Sequence, residues 1–149
     1  MVIHLEGVSE WQHAVTGMVG RTNAATRMAT AKGAHLVERE IKINLAKKTH
    51  EAGTPTPSEP GEPPALVTGT LRRSIKVTGP EPTGPATWMA KTGPTAVYGR
   101  VQELGGEAGS DLMVLLPPRP YVAPALAKVT GNGELRRVYR DAWAAAIHM

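Results

Sequence analysis

Apolar side chains recur at intervals of three, four or seven through the first third of the chain. Trp11, Val15, Met18, Thr22, Ala25, Ala29 and Leu36 lie on this stripe, and Val37, Ile41 and Leu45 continue it after a small drift. The pattern predicts one apolar face on a helix from Ser9 to about Lys48, roughly 60 Å long at 1.5 Å per residue. Ser9 is the expected N-cap, with Gln12 three residues on as its capping-box partner. Gly17, Gly20 and Gly33 each weaken the helix by about 1 kcal/mol relative to alanine. One long strut and two ordinary helices with a bend near Gly17–Gly20 both fit the pattern. Upstream, Val2 to Leu5 alternate weakly, as a short strand would.

The pattern then breaks. Thr54 to Pro64 holds prolines at 55, 57, 60, 63 and 64. Proline lacks the backbone donor and fixes φ, so neither helix nor inner strand fits. A Pro-rich flexible loop at about 50–67 is predicted, disordered in a free subunit and ordered on assembly. Thr68 to Ile75 reads as a helical turn entered from Thr68 or Thr70. Ile75 to Thr78 and Thr87 to Thr92 read as two strands of a hairpin, with Gly79 to Pro85 as a long turn between them. Val97 to Leu104 is a short helix, Gly105 to Ser110 a loop, and Asp111 to Leu116 a third strand stopped by Pro117-Pro118-Arg119-Pro120. From Tyr121 onward the chain is helical, interrupted at Gly131-Asn132-Gly133. Leu135, Val138, Tyr139, Ala142, Ala146 and Ile147 form a second apolar stripe. The sum is a single α+β domain over residues 1–149: long N-terminal helix, small antiparallel sheet, C-terminal helix.

Composition adds two constraints. There is no Phe, and Trp and Tyr number three each. A core so poor in rings lacks the burial that aromatic side chains supply, so further burial between subunits, and hence an oligomer, is expected. There is no cysteine. Disulfides, thiolate nucleophiles and Cys-ligated zinc are therefore excluded. No run of 18 or more apolar residues occurs, so no membrane span is expected. The N-terminus lacks the basic start and apolar stretch of a secretory signal, so assembly in a cytoplasm is expected.

The formal charge of +4 and pI of about 9.6 permit contact with nucleic acid or acidic proteins. Arg21, Arg27, Lys32, Arg39, Lys42, Lys47 and Lys48 lie along the long helix and could meet phosphate, which makes a DNA-binding protein the alternative function. Glu38 and Glu40 interrupt them, and no aromatic platform accompanies them. Candidate chemistry is thin. His35 and Glu38 have a metal-compatible spacing but no third ligand nearby. Ser74 lacks the glycine frame of a nucleophile elbow. Gly131-x-Gly133 lacks a third glycine and a preceding strand, and no P-loop occurs. The expectation is no enzyme, no metal and no cofactor; a small hydrolase would need a pocket with convergent titratable groups.

Three segments carry a family pattern. They are Thr68-Gly69-Thr70-Leu71-Arg72-Arg73-Ser74-Ile75, then Tyr98-Gly99-Arg100-Val101-Gln102-Glu103-Leu104-Gly105, then Pro117-Pro118-Arg119-Pro120-Tyr121-Val122-Ala123-Pro124-Ala125-Leu126. In that order they resemble the tail-completion or head–tail joining (neck, minor tail) proteins of siphophages. That family shows a T-G-x-L-R-x-S-I turn, a Y-A-x-x-x-E-x-G helix end and an R-P-F-x-x-P-A-L lead into the last helix. A long N-terminal helix and a variable loop precede the first motif there too. Here Gly99 stands for the family's alanine, Leu104 for an aromatic and Tyr121 for Phe.

The resemblance implies a virion protein, assembled in the host cytoplasm. Its subunits would form a closed hexameric ring between the head connector and the tail, with head-closure and tail-terminator or tube proteins as neighbours. DNA would pass through the channel without sequence-specific binding. Heterologous contacts that close a rotation build such a ring. On this reading Leu71 and Ile75, four apart, bury one face of their turn and leave Arg72 and Arg73 to bridge to a neighbouring carboxylate. Glu103 is an acidic partner across the boundary, Tyr121 an interface ring with a polar tip, and Tyr98 and Arg119 complete the expected subunit contact.

Overall fold

The computed structural model describes residues 7–50, 58–109 and 114–148. The chain is α+β, with a long N-terminal helix, small antiparallel pairing and a C-terminal helix. Helix α1 runs without interruption over Val8–Asn44, a span of 37 residues and about 55 Å. One strut is therefore observed, and Gly17 and Gly20 do not break it. Ser9 is not the cap. The helix begins at Val8 behind Gly7, whose φ of 85 is the left-handed turn open to glycine, and Ser9 Oγ donates to Glu10 instead. The strand expected at Val2–Leu5 lies outside the described residues.

A short helix α2 spans Thr70–Ser74, preceded by Gly69 at φ 72. Strands β1 (Ile75–Gly84) and β2 (Thr87–Pro94) form an antiparallel hairpin. Here the expected long turn is corrected. The strand runs straight through Gly79 to Gly84, with register shifts between Thr78 and Glu81 and between Pro82 and Gly84, and only Pro85 and Ala86 form the tip. In a two-stranded ribbon both strands are edges, so Pro80 and Pro82 need no donor on their outer side, and the irregular register absorbs them. Helix α3 covers Gly99–Leu104. The loop expected after it contains strand β3 (Gly106–Ala108), which pairs antiparallel with β4 (Val114–Leu116). Residues 111–113 of the expected third strand lie outside the described residues. Helices α4 (Ala123–Gly131) and α5 (Glu134–Ile147) follow, divided at Asn132–Gly133 as the sequence predicts.

Helix α1 is the spine. Helices α4 and α5 lie end to end along one flank, antiparallel to it. Asn44 Nδ2 donates to the Tyr121 carbonyl at 3.0 Å, and Lys128 pairs with Glu40. A methyl group on Gly33 would strike Leu135, so α5 crosses α1 in close contact there. Further along, Trp143 Nε1 donates to Thr26 Oγ1, and Arg21 Nε donates to the Ala146 carbonyl. Thr22, Thr26 and Thr30 each donate their hydroxyl proton to the carbonyl four residues back. The lone pairs of Thr26 and Thr30 are thereby left to accept from α5, and the Tyr139 hydroxyl donates to Thr30 at 2.9 Å.

The hairpin lies on the other flank. Trp88 Nε1 donates to Asn23 Oδ1 at 2.7 Å, and Thr92 Oγ1 donates to the Ala34 carbonyl. The core gathers at the C-terminal end of α1, where Ile41, Leu45, Ile75, Tyr121 and Ala125 are buried together with Val37, Leu71 and Val122 against them. The described part of the Pro-rich loop is irregular but tied to the body. Leu66 N donates to Lys48 O, Gly61 N to Pro118 O and Arg119 Nε to Ser58 O, and Lys48 pairs with Glu62. Residues 51–57 lie outside the described residues.

Candidate functional site

The three segments that carry the family pattern meet in one place. The Thr95 amide and hydroxyl both donate to the Ser74 carbonyl, joining the end of the first segment to the approach of the second. Arg119 N donates to Gln102 O, and the Tyr121 hydroxyl donates to Gly99 O at 2.9 Å, joining the second to the third. Gly99 is buried, and a Cβ there would lie 2.6 Å from Cβ and Cγ of Pro94. The alanine of the family pattern is therefore disfavoured at this position, because a proline ring cannot rotate out of the way.

Glu103 is the centre of this knot. Its Oε2 accepts from the amides of Tyr121 (2.7 Å) and Val122 (2.9 Å), and its Oε1 accepts from Ala123 at 2.9 Å. These are the free donors at the N-terminus of α4. Val122, in the capping position, has no side-chain acceptor, and Pro124 follows at once, so the helix takes its cap from 18 residues upstream. Two expected roles are thereby corrected. Glu103 is committed to its own chain, because three amide donors converge on it. Tyr121 is fully buried, the largest such side chain among the described residues, and it presents nothing to a neighbour. Burial pushes its phenol well above the ordinary tyrosine value, with the charges of Glu103 and Tyr98 adding to the effect.

The other expected contact residues divide. Leu71 is half-buried against the core, as its spacing from Ile75 predicts. Arg73 is exposed and turns part of its guanidinium back on its own segment, donating to Thr68 O at 2.9 Å. Arg119 is half-buried and holds the loop through Ser58. Arg72 and Tyr98 remain exposed and border a shallow pocket of about 140 Å³ with Leu71 and Gln102. Of the expected set, these two present their side chains outward with no side-chain hydrogen bond or ion pair to another described residue.

The basic residues of α1 are largely engaged within the chain. Arg21 binds the end of α5, Arg27 stacks over Trp88 at 5.5 Å, and Arg39 reaches Glu40 and Glu134. Lys42 pairs with Glu38; Lys48 lies past the helix, which stops at Asn44 and not near Lys48 as expected, and pairs with Glu62. Hydrogen bonding to Lys42, then to His35, holds Glu38 below the usual carboxylate range. Lys128 does the same for the buried Glu40, with Arg39 contributing. His35 and Glu38 therefore form a local pair, and no cluster of three metal-ligating side chains occurs among the described residues. No helix among them is long and apolar enough to cross a membrane.

Two features were not foreseen from the sequence. A groove of about 390 Å³ runs over α1 between the hairpin and the two C-terminal helices. Gly33, Ala34 and Val37 form its floor, Trp88 and Met89 one wall, Val122, Leu126 and Leu135 the other, and no charged side chain lines it. The second feature is the N-terminal end of α1, where Val8, Trp11, Met18 and Val19 are exposed, Trp11 by 65%. The stripe was legible; that it lies bare was not. No family model, curated protein or solved structure matches the chain.

Proposed function

We propose that the chain is a structural subunit of the neck of a tailed phage. In this reading it forms a ring that completes the tail and joins it to the head connector around a channel for DNA. The supporting observation is the convergence of the three segments. Residues of the second and third segments form one hydrogen-bonded knot about Glu103, and the first segment packs against it through Leu71 and Ile75, so the elements that carry the resemblance act as one structural unit. The thin core points the same way. Tyr121, Ile41, Ile75 and Val129 are the largest fully buried side chains, while Trp11, Val97, Leu104, Leu115 and Trp143 stay exposed. Such a chain gains much of its burial from neighbours. The work is mechanical: a rigid strut and a fixed C-terminal knot hold position while DNA passes.

The partners proposed are further copies of the chain, a head-closure protein and a tail terminator or tube protein, with the virion as location. The test is the mass of the purified protein by light scattering behind a sizing column, with and without phage tails. A ring-sized species, or a monomer that joins tails, supports the reading. A monomer that ignores tails but binds duplex DNA with steep salt dependence replaces it with the DNA-binding one.

A further inference from the structure

The apolar stripe of α1 has two fates. From Thr22 to Gly33 the face is covered by α5, through Ala146, Trp143, Tyr139 and Leu135 in turn. Helix α5 ends at Ile147, but α1 continues for about three more turns, roughly 15 Å, with the same face. Val8, Trp11, Val15 and Met18 keep the alternating three-four spacing of a helix seam. Trp11 and Val19 are more than half exposed there, and Trp143 and Ile147 extend the bare patch onto the end of α5.

The groove is the complementary feature. It is open to the surface, with the small residues Gly33 and Ala34 on its floor and large apolar side chains as its walls. The projecting end cannot fill it within one chain. Both lie on a single straight helix, and Trp11 is about 33 Å along the axis from Gly33. Only a second copy can bring the two together.

We propose that the projecting N-terminal end of α1, led by Trp11, docks into the apolar groove of a neighbouring copy, head to tail. The area allows a specific contact at the small end of the range: the bare side chains of the projecting end with the exposed parts of Trp143 and Ile147 offer on the order of 600 Å², against about 800 Å² per partner in a standard interface. Charge favours it. Residues 7–20 carry Glu10 and no lysine or arginine, while Arg27 stands over Trp88 at the groove wall. A contact between unlike surfaces repeats from copy to copy and closes into a ring when the rotation allows. This deepens the neck reading by naming the subunit contact. Ring closure rests on that reading, whereas the docking rests on the two surfaces.

The experiment uses Trp11→Glu on the projecting end and Leu126→Glu on the groove wall, both at exposed positions, with circular dichroism to verify the fold. Met18→Glu and Met89→Glu form a second pair. Light scattering on the parent is expected to give a multimer, and on each single variant a monomer, with association weakened at least tenfold. An equimolar mixture of the two variants is expected to give a dimer and stop there. The intact projecting end of the Leu126→Glu chain fits the intact groove of the Trp11→Glu chain, and the remaining surfaces are both spoiled. A parent monomeric at every concentration, either variant assembling like the parent, or a mixture that stays monomeric overturns the proposal. A monomeric parent that still joins tails sinks this contact and keeps the neck reading. An assembling parent that ignores tails does the reverse.

Discussion

Replacing Glu103 with alanine should destabilise the folded subunit by about 3 kcal/mol. The carboxylate accepts three amide protons, from Tyr121, Val122 and Ala123. Hydrogen bonds to a charged group contribute about 1.5–3 kcal/mol each when nothing replaces them. Water replaces part of the loss here: Ala123 is exposed and Val122 half-exposed, so mainly the amide of the buried Tyr121 is stranded. One full contribution and two partial ones give the total of about 3 kcal/mol. Glu103→Gln retains one acceptor oxygen for Tyr121 and Val122 but turns an amide donor toward Ala123, and should cost about half as much. For a chain of this length 1 kcal/mol corresponds to roughly 2–4 °C in Tm, so the alanine variant should melt about 6–12 °C lower. Thermal unfolding followed by circular dichroism reads the shift, and hydrogen exchange reads the amides of residues 121–123. An alanine variant within about 1 kcal/mol of the parent, with those amides still protected, refutes the capping role. Loss of assembly without loss of monomer stability would restore Glu103 to the subunit boundary.

Tyr121→Phe removes the bond to the Gly99 carbonyl and should cost about 1 kcal/mol, read from the denaturant midpoint; in the parent, an absorbance titration should show the Tyr121 phenol still protonated where an exposed tyrosine ionises. Gly99→Ala should cost about 2 kcal/mol because its methyl meets the Pro94 ring, whereas Gly20→Ala, with open space around it in α1, should stabilise by about 1 kcal/mol in the same assay. Glu40 is depressed below its ordinary value of 4.5 by Lys128, so the unfolded chain binds its proton first as pH falls. Its contribution is complete above that value and is lost as pH drops through the lower folded one; Glu40→Gln should flatten this acid limb of the stability curve, and an unchanged limb would assign the loss to other carboxylates.

The sequence disclosed what short-range periodicity can carry. The stripe from Trp11 to Leu45 marks a long helix, and the alternation around Ile75 and Thr87 marks a hairpin. It misjudged what depends on partners distant along the chain. Prolines 80 and 82 read as a turn because the requirement for a donor looks absolute until the strand is known to be an edge. Tyr121 and Glu103 read as surface residues because their separation of 18 positions hides that one caps the segment containing the other. The missing cap at Val122 was the available signal: a helix starting at Ala123-Pro124 with no local acceptor must borrow one. The bare end of α1 was illegible for a different reason. An apolar stripe looks the same whether its cover comes from α5 or from another molecule.

Burial is graded along α1, and the gradient predicts behaviour. At its C-terminal end Ile41 and Leu45 sit in the main core; in the middle Ala25, Ala29 and Gly33 are covered by α5; toward the N-terminus Met18, Trp11 and Val8 are exposed and Val15 is half-buried. Helical segments shorter than about 12–15 residues are marginal in water without tertiary packing, so residues 8–18 rely on the rest of α1 alone. In the isolated subunit, hydrogen exchange should therefore be slowest near Ile41 and quicken steadily toward Trp11. If the projecting end docks on a neighbour, raising the concentration into the assembling range should slow exchange at residues 8–18 while leaving Ile41 nearly unchanged. Uniform protection along α1 in the monomer would show that the end is stable without a partner, and would remove the energetic reason for it to seek one.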